Sequence, residues 1–175
     1  MTTQHAITWP EAYLPGTGDN FVSNEVIVKD LTAADVWPLL VDTSVWESYY
    51  DNVADIAFPQ GGGPELRSGL DFSFGTFGFP PLDAHVVELV TPGDGAPGRL
   101  SWTAKQDGTP EERLNVLHAW LVEDLPGGRV RVLTQESQFG RPAADLAGQT
   151  PNPMLNGHQA WLDGLVSAAR AKRRG

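Results

Sequence analysis

The residues best equipped for chemistry are few. The chain has 175 residues, four histidines (His5, His85, His118, His158) and no cysteine. Without cysteine there is no disulfide, thiol nucleophile or thiolate metal ligand. The histidines show neither HxH nor HxxxH spacing, so the sequence predicts no metal and no cofactor. His118 and Glu136 stand in two apolar runs joined by Pro126-Gly127-Gly128. A three-residue loop there sets Val122 opposite Val132, Trp120 opposite Thr134, His118 opposite Glu136 and Glu123 opposite Arg131. A two-residue turn at Gly127-Gly128 would slip the pairing by one and set Trp120 across from Gln135. In the first register an imidazole and a carboxyl share the face carrying Trp120 and can do general acid/base work; the plainer alternatives are a structural hydrogen bond or a carboxylate in water.

His158 lies on an apolar helical stripe beside Trp161, so it faces the same interior from the other side, as a core residue or a hydrogen-bond partner for a ligand. Phe72, Phe74, Trp102, Trp120 and Trp161 can line a cavity for a planar molecule, with Thr134 on the same strand face. Ordinary core packing is the alternative for each ring. Gly93-Asp94-Gly95-Ala96-Pro97-Gly98 matches GxGxxG formally, but it precedes a strand and carries proline where a helix should begin. No GxSxG elbow occurs, which disfavours serine-hydrolase chemistry.

These groups must be held by seven strands and a long helix. Residues 1–20, with Pro10, Pro15, Gly16 and Gly18, read as an irregular arm packed on a single domain spanning 21–173. Residues 21–28 form the first strand. Two short helices follow, 33–41 behind a Thr32/Asp35 cap and 43–50, with Pro38 as a flaw in the first. Apolar runs between turn clusters then give strands at 53–58, 70–78, 83–91, 98–106, 113–124 and 129–139, antiparallel because their connections are short. Residues 140–151 show no periodicity. Asn152-Pro153 caps a final helix of about 20 residues, whose apolar residues fall 1, 4, 7, 8, 11, 12 and 15 positions after Met154. Such a stripe must be buried, and the sheet is the surface available.

The order of elements, with Val36-Trp37-Pro38-Leu39-Leu40, Trp46-Glu47-Ser48-Tyr49-Tyr50, Thr76-Phe77-Gly78, Arg99-Leu100-Ser101-Trp102, His118-Ala119-Trp120-Leu121, Thr134-Gln135-Glu136-Ser137 and Gly157-His158-Gln159-Ala160-Trp161-Leu162, resembles the SRPBCC superfamily of START-like and polyketide-cyclase-like proteins. The resemblance implies an α+β helix-grip fold: a seven-stranded curved antiparallel sheet wrapped around the long C-terminal helix, two short helices between strands 1 and 2, and a deep hydrophobic cavity. Two functions follow. One is binding of a hydrophobic molecule, aromatic or polyketide-like, in that cavity. The other is a cyclase, aromatase or dehydratase in which His118 and Glu136 are the catalytic acid/base groups. Whether the chain is an enzyme stays open at this point.

A formal charge of −10 and a pI near 4.6 disfavour nucleic acid and anionic membrane as partners. Arg170, Lys172, Arg173 and Arg174 read as a helix terminus carrying cations where its dipole favours them, with a solvated tail beyond. No stretch approaches a membrane span and Met1-Thr2-Thr3-Gln4-His5 lacks the start of a secretory signal, so the expected location is cytoplasmic, as monomer or homodimer.

Overall fold

In the computed structural model, which describes residues 3–175, β-branched and aromatic runs pair into one antiparallel sheet. Its strands are β1 (Asn20–Lys29), β2 (Ala54–Ala57), β3 (Asp71–Gly75), β4 (Leu82–Val90), β5 (Gly98–Gln106), β6 (Leu114–Leu125) and β7 (Arg129–Phe139), in the order β1-β7-β6-β5-β4-β3-β2. Helices α1 (Ala33–Val41) and α2 (Trp46–Tyr49) connect β1 to β2; α3 (Arg141–Ala147) and α4 (Pro153–Arg174) follow β7. This is the α+β helix-grip architecture. Among the described residues no helix is long and apolar enough to cross a membrane.

Thr32 and Asp35 form the capping box of α1, and the helix runs on through Pro38. Helix α4 starts where Asn152 Oδ1 accepts from Met154 N at 3.0 Å, with Pro153 in its first turn. It buries Met154, His158, Trp161, Leu162, Leu165 and Ala169. Leu155, expected on that stripe, is exposed instead. Gly164 allows α4 to approach α2 closely, since a Cβ there would run into the Tyr49 carbonyl. At its far end the exposed Arg173 donates to Asp30 O and Asp35 Oδ2, which ties this cation to the segment that starts α1.

Strand β6 is buried on both faces, which alternation alone does not explain. Its inner residues Val116, Trp120 and Val122 join the main core, while Leu117 and Ala119 on the outer face pack with Tyr13, Ile7, Trp9 and Phe139. The N-terminal arm is what covers that outer face. Tyr13 Oη donates to Asn115 Oδ1 at 2.8 Å, and Arg131 Nη1 reaches His5 O at 2.8 Å and Glu123 Oε1 at 2.7 Å. Residues 1 and 2 of the arm lie outside the described residues.

Helix α3 departs from the sequence expectation. It buries only Ala143, so it carries no apolar stripe; an Arg141–Asp145 pair at 2.8 Å and a first-turn proline support it instead.

Candidate functional site

The β6–β7 hairpin turns through Pro126, Gly127 and Gly128, with Leu125 opposite Arg129. The longer-loop register is therefore the one formed: His118 opposite Glu136, Trp120 opposite Thr134 and Glu123 opposite Arg131. Because side chains alternate along a strand, His118 and Glu136 project to the concave side, under the buried face of α4. His158, one turn before Trp161 on that helix, completes the group. Glu136 Oε2 lies 3.2 Å from His118 Nδ1 and 3.5 Å from His158 Nε2. The two imidazole rings stack at 4.3 Å with 15° between planes, and all three residues are at most 4% exposed.

A directional hydrogen-bond chain sets the His118 tautomer. Asn152 Nδ2 donates to Asn20 Oδ1 at 2.8 Å, and Asn20 Nδ2 donates to Gln138 Oε1 at 2.7 Å. Gln138 Nε2 in turn donates to Glu136 Oε1. At the other end the Thr134 hydroxyl donates to Ala119 O at 3.2 Å, so its oxygen accepts from His118 Nε2 at 2.7 Å. His118 therefore carries its proton on Nε2, which leaves Nδ1, 3.2 Å from Glu136 Oε2, as an acceptor on the cluster side. A protonated carboxyl suits that contact. Consistently, burial pushes Glu136 up to about 8 against the opposing pull of the Gln138 hydrogen bond. Burial, reinforced by the neighbouring His158, holds His118 well below its ordinary value, and burial pushes His158 down to about 3. Burial thus disfavours charge on all three groups, as an apolar interior tolerates neutral groups far better than ions.

The cavity beside the cluster is lined by Phe74, Trp102, His118, Glu136, His158 and Trp161 among the candidates, joined by Thr76, Phe77, Phe79, Leu82, Leu114, Val116, Gln138 and Met154. Phe72, Trp120 and Thr134 are set back from it. Phe72 stacks between Phe58 and Phe74, Trp120 packs edge-on to Trp161, and Thr134 lies beneath His118. Gln138 was missed, although strand alternation already places it on the face of Thr134 and Glu136. Phe77 and Phe79 sit on a turn whose approach to α4 leaves no periodic signal. Gly157 on α4 makes room for that turn, since a Cβ there would meet the Phe77 ring.

The deep cavity that the resemblance implied is almost filled. Its volume is about 20 Å³, against roughly 300 Å³ for the smaller pockets that hold organic ligands. The Trp46, Trp102, Trp120 and Trp161 rings, 5.1–6.1 Å apart, occupy the rest. Several buried polar atoms lack a hydrogen-bond partner, among them Trp102 Nε1, Trp161 Nε1 and His158 Nδ1 on lining residues. His118, Glu136 and His158 also offer three ligand atoms within 4.8 Å of one another. Sequence spacing pointed away from metal because these groups come from three separate elements. The other two histidines lie elsewhere, His5 against Glu123 and His85 against Asp71, each at 2.6 Å.

No family model matches the sequence, and no curated protein matches it. Solved structures do. The hypothetical protein jhp0584 of Helicobacter pylori is 50% identical, with a TM-score of 0.91 over 97% of this chain and 99% of that one. Norcoclaurine synthase of Thalictrum superposes with a TM-score of 0.60 at 10% identity, over 88% of this chain and 96% of that chain. The di-domain aromatase/cyclase BexL superposes with a TM-score of 0.57 at 11% identity, over 83% of this chain and 45% of that chain. At such low identity the last two share the fold alone.

Proposed function

The chain belongs to the family of the Helicobacter pylori protein and carries the helix-grip fold of the SRPBCC superfamily, and on that premise we propose that it binds a small hydrophobic molecule between the sheet and α4. The observation that carries this reading is the buried His118–Glu136–His158 cluster at the wall of an otherwise aromatic cavity. Rings supply apolar contact area, while the carboxyl and the two imidazoles on the cavity wall supply the few polar contacts that orient a ligand. Because the closed cavity is small, entry of a ring-sized ligand requires the Thr76–Phe79 turn to swing away from α4. Phe77, held at φ 51° and resting over Gly157, is the side chain to move.

Displacement of an environment-sensitive fluorescent probe by a panel of aromatic and polyketide-like compounds tests this. Uptake should be lost in Val116→Phe, which enlarges a side chain on the cavity wall, and altered in Trp161→Ala. A folded wild-type protein that takes up no probe and no compound would overturn the proposal.

The Glu136–His118 contact favours a second reading, proton transfer to a bound carbonyl compound, in which Glu136 donates and His118 accepts. It is the cyclase-type chemistry of the resemblance. Turnover of a candidate substrate that survives both His118→Gln and Glu136→Gln would rule it out while leaving binding intact.

A further inference from the structure

We propose that His118 Nδ1, Glu136 Oε2 and His158 Nε2 bind one divalent transition-metal ion at the base of the cavity. The ion needs no organic ligand, so the inference rests on the pocket reading only in that its open coordination positions would face the same space.

Three independent elements, β6, β7 and α4, bring the three atoms together. For metal–ligand bonds of about 2.0–2.2 Å, neighbouring ligand atoms lie roughly 3–3.6 Å apart at tetrahedral or octahedral angles. The two contacts to Glu136 Oε2, 3.2 and 3.5 Å, fall in that range. One ligand atom from each residue lies within 4.8 Å of the others, and the two imidazoles, stacked with 15° between planes, turn out of that stack to close the third edge.

The surroundings orient the ligands as an outer shell does. Thr134 accepts the His118 Nε2 proton and so presents the Nδ1 lone pair inward. Gln138, itself held by Asn20, engages Glu136 Oε1 and leaves Oε2 to the cluster. His158 supplies the observation that points to an occupant. It is 2% exposed, and its Nε2, the atom offered to the ion, comes only within 3.5 Å of Glu136. A buried imidazole so poorly satisfied is costly unless something completes it. The cavity of about 20 Å³ beside it fits an ion with a water and is too small for an organic molecule without opening.

Two imidazoles and one carboxylate select borderline ions such as Zn(II), Co(II) or Fe(II), whereas Ca(II) and Mg(II) prefer oxygen donors throughout. Three protein ligands leave one or more positions on the cavity side, open to water or to the polar group of a bound molecule.

The test uses full-length protein freed of metal by chelation and titrated with Co(II). The expected result is one Co(II) per chain with a visible d–d band, paramagnetic broadening of the His118 and His158 ring signals but not of His85, and a rise in melting temperature reversed by chelator. Glu136→Gln and His158→Gln should each weaken binding at least tenfold, while His85→Gln should not. The wild-type ring signals decide the matter even if those variants fold poorly. Absence of the band, broadening centred on His5 or His85, or full affinity in folded Glu136→Gln overturns the site. Probe uptake by the metal-free protein, measured in parallel, separates this failure from failure of the pocket.

Discussion

Replacing Thr134 by valine deletes one oxygen and hardly changes the side chain's shape, so it isolates the hydrogen bond that sets the His118 tautomer. In the native arrangement His118 Nε2 donates to Thr134 Oγ1 at 2.7 Å and the hydroxyl passes its proton to Ala119 O at 3.2 Å. Thr134 is fully buried, so water cannot replace the missing oxygen. Leaving the buried Nε2–H unpaired costs about 1–3 kcal/mol. The added methyl recovers part of that, on the order of 0.8 kcal/mol. The net loss is then about 0.2–2 kcal/mol, a fall in melting temperature of up to about 8 °C for a chain of this length. Thr134→Ser keeps the oxygen and should keep the tautomer, losing only methyl packing. Histidine ¹⁵N spectroscopy reads the tautomer directly, and calorimetry reads the stability. A wild-type His118 protonated on Nδ1, or a valine variant that melts with the wild type and retains the Nε2–H form, would refute the directional chain from Asn152 to Ala119.

Other perturbations probe the elements that hold the site. Gly157→Ala should push the Phe77 ring off α4 and open the cavity, so probe association accelerates while melting temperature changes by only a few degrees; an unchanged rate would show that the Thr76–Phe79 turn is not the entrance. Gly164→Ala drives a Cβ into the Tyr49 backbone, which has no flexible end to yield, and overpacking of this kind costs about 1–3 kcal/mol, only partly offset by alanine's helix propensity; wild-type stability would contradict the close approach of α4 and α2. The N-terminal arm should respond to acid. Burial alone would raise Glu123, but hydrogen bonds from His5 and Arg131 and the Arg131 charge outweigh it and hold this carboxyl below its ordinary value of 4.5. A depressed folded value means that the stabilisation is complete above pH 4.5 and is lost as pH falls through the lower folded value. Proteolysis of the arm should therefore increase only below about pH 4.5, and Glu123→Gln should make it susceptible at neutral pH; an acid response identical in that variant would locate the effect elsewhere.

Much of the fold was legible because it rests on short-range patterns. The stripe after Met154 demanded a sheet, and Asn152-Pro153 marked its start. The Pro126-Gly127-Gly128 loop, together with the pairing of Glu123 with Arg131, favoured the register that brings His118 to Glu136. Helix α3 was hidden because it buries a single alanine and so has no stripe to read. The arm's role was hidden too, since the burial of Leu117 and Ala119 depends on Tyr13 and Trp9, over a hundred residues away. At the site, alternation placed His118 and Glu136 and should also have yielded Gln138. The size of the cavity was beyond reach from sequence: it depends on how four indole rings fill space, and a list of aromatics reads the same whether they line a void or fill it. The meeting of His158 with the strand pair likewise depends on the rotation of α4 over the sheet. For that reason motif spacing, which searches one element at a time, did not group the three residues.

The most direct measurement is titration of the protein with small aromatic carbonyl compounds while ring resonances of His118, His158, Trp102 and Trp161 are followed by NMR. Saturable shifts should be confined to these residues and to Phe77, with His5 and His85 unmoved. Shifts centred on His5 or His85, or none at any concentration in a folded protein, would contradict the claim that the space between sheet and α4 is where this chain receives its ligand.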